Sequence, residues 1–171
     1  MEYFDLFDEY GNNLNKQALR GNHLKEGEFF KVIHVWIENK NGEFLIQQRA
    51  KKTDPTPYQW AITSGIPDQG ESAVEAVIRE TKEELGITLD KDRLKKKARI
   101  VSSHNAYNTI TFVYHIKQDI DLNTLTLNKD EVLDVNYASI SEIFEMVQNN
   151  EFWDYSALLG EPNYFSLVRR A

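Results

Sequence analysis

Hydrophobic residues in this chain collect into short β-branched and aromatic runs divided by turn residues, and only a few segments carry helical spacing. "FFKVIHVWI" (Phe29 to Ile37) predicts a strand, "ENKNG" a turn, and "EFLIQQRA" (Glu43 to Ala50) its partner, together the central pair of a sheet. Ahead of them, "MEYFDLFDEYGNN" pairs short apolar steps with acids and reaches Gly11 and two asparagines, the chemistry of a hairpin turn. Lys51 to Pro57, with two prolines, reads as a loop leading to Tyr58, Trp60 and Ile62. "AYNTITFVYHIK" and "EVLDVNYASI" predict two further strands, and "SISEIFEMVQNN" sets Ile143, Phe144 and Val147 at helical spacing behind a serine cap. The last stretch, "EFWDYSALLGEPNYFSLVRRA", reads as one amphipathic closing helix whose Phe152, Trp153, Leu158 and Leu159 pack on the domain or form a homodimer contact. Strands and helices in mixed order predict a mixed sheet covered by helices on its faces. The expected organisation is one domain over residues 1–171, with a small hairpin at about 1–25 and a closing helix at about 151–171.

The densest signal is "GIPDQGESAVEAVIRETKEELGI", Gly65 to Ile87. Ser72 and Glu75 make a capping box and Gly86 suits a left-handed C-terminal cap, so a helix is expected from about Ala73 to Leu85. At 100° per residue, Val74, Ile78, Thr81 and Leu85 form a packing stripe, with Glu80, Glu83 and Glu84 on another stripe about 120° away. Three acids so close repel one another, at roughly 0.2–0.5 kcal/mol per pair, and a divalent cation would turn that cost into binding energy. Hard oxygen ligands suit Mg²⁺ or Mn²⁺, and Mg²⁺ commonly completes its shell with water and substrate phosphates. Arg79, four residues before Glu83 and one before Glu80, can pair with and orient a carboxylate. Taken alone, three glutamates on one helix are most often a solvated face.

Composition narrows the partners. At 41% hydrophobic and 27% charged the chain is ordinary globular material, and its net charge of −7 argues against extended nucleic acid or an anionic membrane surface. It has no cysteine, which removes disulfides, thiolate nucleophiles and thiolate metal sites together. The acidic start is no secretory signal, so a cytoplasmic location is expected.

The acidic stretch resembles the Nudix box, G-x5-E-x7-R-E-U-x-E-E-x-G-U with U apolar, through Gly65, Glu71, Arg79, Glu80, Glu83, Glu84, Gly86 and Ile87; only Thr81 departs, at the first U. Its methyl can still be buried if its hydroxyl bonds a backbone carbonyl. "HVWIENKNGEFLIQQR", "YQWAITSG" and "EVLDVNYASISEI" are similar to segments of the same family around the box. The resemblance implies an α/β (α+β) fold, a Nudix-type α/β/α sandwich with the box helix beside a central mixed β-sheet. It implies Glu80, Glu83 and Glu84 as metal ligands, the Gly65 carbonyl beside them, Arg79 orienting Glu80, and Glu71 supporting the site electrostatically. Glu80 is alternatively the general base, and Glu131 is the candidate for a further acid recruited from outside the box. The implied reaction is Mg²⁺- or Mn²⁺-dependent hydrolysis of a diphosphate bond in a nucleoside diphosphate linked to another moiety, a small-molecule substrate.

Two alternatives accompany that reading. "SGIPDQGES" also resembles the isopentenyl-diphosphate isomerase branch, but that branch's catalytic cysteine would fall at Ser64, and its box glutamates are typically eroded. A non-catalytic domain binding a nucleotide or protein is the other alternative; such domains commonly lose box acids. Arg49, closing the "QQR" strand, is either a phosphate contact or an exposed strand-end arginine. Tyr58 and Trp60 stack on a base or belong to the core; "KDRLKKKAR" (Lys91 to Arg99) reads as a solvated turn; His34, His104 and His115 lack metal spacing.

Overall fold

The opening hairpin forms as its turn chemistry dictates: β1 (Tyr3–Phe7) and β2 (Asn13–Leu19) pair antiparallel, and Asp8 Oδ1 accepts from the Tyr10 and Asn12 amides between them. The computed structural model describes residues 2–50, 56–104 and 108–169. The first five residues of the expected loop at 51–57 therefore lie outside the described ones.

The remaining strands are β3 (Phe30–Glu38), β4 (Phe44–Arg49), β5 (Trp60–Ala61), β6 (Thr63–Gly65), β7 (Lys95–Ser102), β8 (Thr109–Lys117) and β9 (Val132–Ala138). They build one sheet in the order β5-β4-β3-β8-β7, with β6 also on β3 and β9 also on β4. β3 runs parallel to β8 and the other pairings are antiparallel, so the sheet is mixed. Helices α1 (Ala73–Leu85), α2 (Ile140–Gln148), α3 (Tyr155–Leu159) and α4 (Tyr164–Arg169) cover it. Strand alternation divides the core in two. Ile33, Val35 and Ile37 of β3 pack with Val77 and Leu85 of α1, whereas Trp36 packs with Ile143, Phe152, Tyr155, Tyr164 and Phe165 on the opposite face. This is an α/β/α sandwich. No helix among the described residues is long and apolar enough to cross a membrane.

Strands β3 and β4 pair antiparallel within the sheet as expected, but they meet only at Glu38 and Phe44 and then separate, because β6 takes β3's edge while β5 and β9 take β4. Three expectations are corrected. The basic run is a short turn at Lys91–Arg93 followed by edge strand β7, where lysines discourage edge-to-edge pairing. The closing helix is two short ones, broken by Gly160 at φ 63° and followed by Pro162. Finally, the buried face of α1 is Ala76, Val77, Thr81, Glu84 and Leu85, while Val74 and Ile78 are half-buried. The packing stripe is rotated from the expected one, and it takes Glu84 inward.

The caps of α1 form as expected. Ser72 and Glu75 exchange both capping-box bonds, and Gly86 is left-handed with its amide donating to the Lys82 carbonyl. Gly86 also admits a neighbour, since a Cβ there would lie 3.0–3.1 Å from Thr126 Cβ, N and O. Gly86→Ala should therefore destabilise the fold by at least about 1–2 kcal/mol, read as a lower urea midpoint. An unchanged midpoint would contradict the tight approach of the Thr126 backbone.

Candidate active site

The splay between β3 and β4 is where the acidic helix is received. Strand β6 pairs with β3 through Ile33↔Gly65, His34↔Ser64 and Val35↔Thr63, and the chain then turns into α1. Gly65 lies so close to Glu80 that a Cβ would stand 2.2 Å from Oε1 and 2.5 Å from Cγ. Only a residue without a side chain leaves that space to the carboxylate.

Arg79 organises the outer acids. Its Nε and Nη2 each donate at 2.9 Å to a different oxygen of Glu71, its Nη1 donates to Glu80 Oε1 at 2.9 Å and Glu83 Oε2 at 3.2 Å, and Nη2 also donates to the Ile66 carbonyl. Burial opposes ionisation of Glu71, but the Arg79 bonds outweigh it and hold this carboxyl below the usual range. The same bonds push the Arg79 guanidinium further up, so it stays charged throughout.

Glu84 occupies the inner position. It is 8% exposed, and its Oε2 accepts from Gln47 Nε2 at 2.6 Å. Thr63 Oγ1 donates to Gln47 Oε1 at 2.8 Å, completing a buried chain across the splay. Burial pushes the Glu84 carboxyl up to about 8; Gln47 and Arg49 lower it, and the charges of Glu80 and Glu131 raise it. Glu80 is raised for the same leading reason, burial, with Glu83 and Glu131 adding repulsion against the pull of Arg79. Thr81 back-bonds to the Val77 carbonyl at 2.7 Å, which lets it take an apolar position beside Glu84.

Glu131 comes to this cluster through the chain after α1. The Thr126 and Asn128 amides donate to the Leu85 and Glu84 carbonyls, the Glu131 amide donates to the Asn128 carbonyl, and the Ala50 amide donates to the Glu131 carbonyl. The end of β9 is thus tied both to the end of α1 and to the end of β4. Arg49 lies at that same end of β4, where the register slips by one residue: Gln48 faces Asp134 but Arg49 faces Val132. Such bulges re-aim side chains near functional sites. Arg49 is half-buried, its charge acts on Glu84 and Tyr155, and its Cζ stands 4.4 Å from the Trp153 ring centroid.

All the sequence-selected residues therefore border one region: Gly65, Glu71, Arg79, Glu80, Glu83 and Glu84 around α1, and Glu131 and Arg49 from the β9 and β4 ends. Among the described residues, no three acidic or imidazole side chains yet converge as a metal cage; Arg79 draws Glu80 and Glu83 to itself. Their chemistry nonetheless fits a divalent cation: hard oxygen donors, a glycine cradle beside Glu80, and mutual repulsion that a cation would relieve. Sequence reasoning missed Gln47, Thr63 and Trp153. For Gln47 a signal existed, because period 2 places it beside Leu45 on the face turned to α1, where a polar residue requires a partner.

The other candidates separate from this region or join the core. His34 is buried, with Nδ1 2.8 Å from the Tyr164 hydroxyl, and burial pushes it down to about 3. His115 Nε2 lies 2.6 Å from Glu38, and the His104 ring borders Gly160. Trp60 packs against the core beneath α2 and α3, and Tyr58 is exposed.

A NUDIX domain family model matches residues 29–158 of this chain. The chain belongs to the Nudix family. An uncharacterised Nudix hydrolase of Listeria monocytogenes is 34% identical over 156 residues, covering 91% of this chain and 90% of that one. A Deinococcus radiodurans crystal structure shares the fold, with a TM-score of 0.75, 21% identity, and coverage of 99% and 98% of the two chains. An isopentenyl-diphosphate Delta-isomerase of Streptomyces avermitilis is 32% identical over 85 residues, about half of this chain (49%) and 43% of that one. The protein is a Nudix-type enzyme, of a family that hydrolyses pyrophosphate bonds and generally needs divalent metal.

Proposed function

We propose that this chain, acting as one Nudix domain in the cytoplasm, hydrolyses the diphosphate bond of a nucleoside diphosphate linked to another moiety, with Mg²⁺ or Mn²⁺ as cofactor. The observation that carries this reading is Glu84, buried yet ringed by Glu80 and Glu131, a concentration of carboxylate that stability alone does not favour. Glu80, Glu83, Glu84 and Glu131, with the Gly65 carbonyl, would hold the metal. A bound divalent cation neutralises a diphosphate and lowers the pKa of water beside it. Arg79 engages Oε1 of Glu80 and orients Oε2 either toward the metal or, in the alternative role, to take the proton of the attacking water, while Glu71 holds Arg79 in place. Arg49, at the end of β4, would contact the diphosphate. The segments flanking the matched span, the N-terminal hairpin and α4, serve as parts of the same domain.

The isomerase reading has two observations in its favour, the likeness of "SGIPDQGES" to that branch and the half-length likeness to the Streptomyces protein. Against it stand Ser64 at the cysteine position and the three retained box glutamates. A panel of nucleoside and isoprenoid diphosphates incubated with Mg²⁺ tests the choice. Phosphate-containing cleavage products support hydrolysis and reveal the leaving group; an allylic isomer formed from isopentenyl diphosphate, without cleavage anywhere in the panel, would replace it. Tight binding with no turnover would favour a binding module.

The raised carboxyl has a measurable consequence in the metal-free protein. The folded chain keeps on Glu84 a proton that the unfolded chain has released above its ordinary value of 4.5, so stability should fall as pH rises from 4.5 to about 8. Thermal melts in chelator should show that slope, reduced in Glu84→Gln and offset by added Mg²⁺. Equal slopes in the two proteins would remove Glu84 as their source.

A further inference from the structure

Trp153 lies outside the acidic helix and is separated by more than a hundred residues from the arginine it covers. Its backbone is held along Trp60. The Trp153 amide donates to the Trp60 carbonyl at 2.9 Å, the Trp60 amide donates to the Glu151 carbonyl at 2.8 Å, and Phe152 bridges Trp60 in parallel. One residue later, Asp154 caps α3 by accepting from the Ala157 amide. Beneath the indole, Tyr155 stacks at 5.6 Å with 27° between planes, and Tyr155 is itself fully buried against His34 and Tyr164. The indole is therefore the outer layer of an aromatic cluster whose inner members, Tyr155, His34 and Tyr164, are buried.

Arg49 rests on that layer. Its backbone is fixed too, with its amide donating to the Gln59 carbonyl and its carbonyl accepting from the Tyr58 amide. A guanidinium stacked on an aromatic face interacts through the face of the ion, so the stacking itself consumes none of its N–H groups.

We infer that Trp153 is a positioning residue: by stacking under the Arg49 guanidinium it presents that cation to the diphosphate of the substrate, making the C-terminal segment part of the anion site. The inference rests on Arg49 contacting the diphosphate. A flexible arginine would have to be ordered on binding, whereas one already stacked costs less to order, so the effect belongs to affinity more than to chemistry.

The test measures binding of methylenediphosphonate in the presence of Mg²⁺ by calorimetry, and KM and kcat on the best substrate of the panel, for Arg49→Gln, Trp153→Ala, Trp153→Phe and the double variant Arg49→Gln/Trp153→Ala. Expected are about a tenfold loss of probe affinity in Arg49→Gln, a loss of about three- to tenfold in Trp153→Ala with KM rising and kcat nearly unchanged, and recovery in Trp153→Phe, which restores an aromatic face. The double variant should bind no worse than Arg49→Gln, since Trp153 acts through Arg49. If Arg49→Gln binds the probe as wild type does, the reading of Arg49 falls and this inference with it. If Arg49→Gln weakens binding but Trp153→Ala, folded by its thermal melt, does not, the inference alone fails. A Trp153→Ala loss that adds fully to that of Arg49→Gln would also overturn it.

Discussion

Glu84→Gln should lower Mg²⁺-dependent turnover at least about a hundredfold while leaving the protein folded. The substitution keeps the shape and removes only the charge, at a buried position where charge is costly. Gln47 can still hydrogen bond to the remaining carbonyl oxygen, and metal-free stability near neutral pH should rise. A drop in rate with rising stability separates loss of a functional carboxylate from loss of structure. Turnover within threefold of wild type would mean that Glu84 is a buried acid without a part in the reaction.

Gly65→Ala is expected to be nearly as damaging, for a different reason. Gly65 has no left-handed backbone requirement, so alanine fits the strand conformation, and the cost falls on Glu80, whose Cγ, Cδ and Oε1 lie 2.5, 2.3 and 2.2 Å from where the methyl would be. A long side chain can swing aside at moderate cost in stability, but it then leaves Arg79 and the cluster. Displacement of a reacting group by about 1 Å can cost on the order of a hundredfold in rate. The expected result is a thermal midpoint within a few degrees of wild type and turnover reduced about a hundredfold. Full activity would show that Glu80 does not act from the position it holds against Gly65.

What could be read from the sequence was mostly what is local. The caps of α1 are set by Ser72, Glu75 and Gly86 within one segment, and they form as their chemistry requires. The identity of the acids on α1 was equally legible, but the inward position of Glu84 was not. It depends on how far the helix rolls when Ala76 and Val77 seat against the sheet, and that is a tertiary choice. The splay of β3 from β4 was hidden for the same reason, because β6 and β9 compete for edges that a hairpin would have filled. Strand β7 carries three lysines at its start and Arg99 at its middle because it is an edge, and its alternation is correspondingly weak. The broken closing helix, by contrast, was announced by Gly160 and Pro162, and the apolar spacing drew attention away from them. Nothing local joins Trp153 to Arg49; that contact exists only once the C-terminal segment docks along Trp60.

The central claim, that the clustered carboxylates are a divalent-cation site, is tested most directly without substrate. Binding of Mn²⁺ would be followed by electron paramagnetic resonance in wild type and in a Glu80→Gln/Glu84→Gln variant, with Mg²⁺ as competitor. The account predicts saturable Mn²⁺ binding in wild type, displaced by Mg²⁺, and affinity reduced at least about tenfold in the variant. Equal Mn²⁺ affinity in the two proteins, or none in wild type, would contradict it.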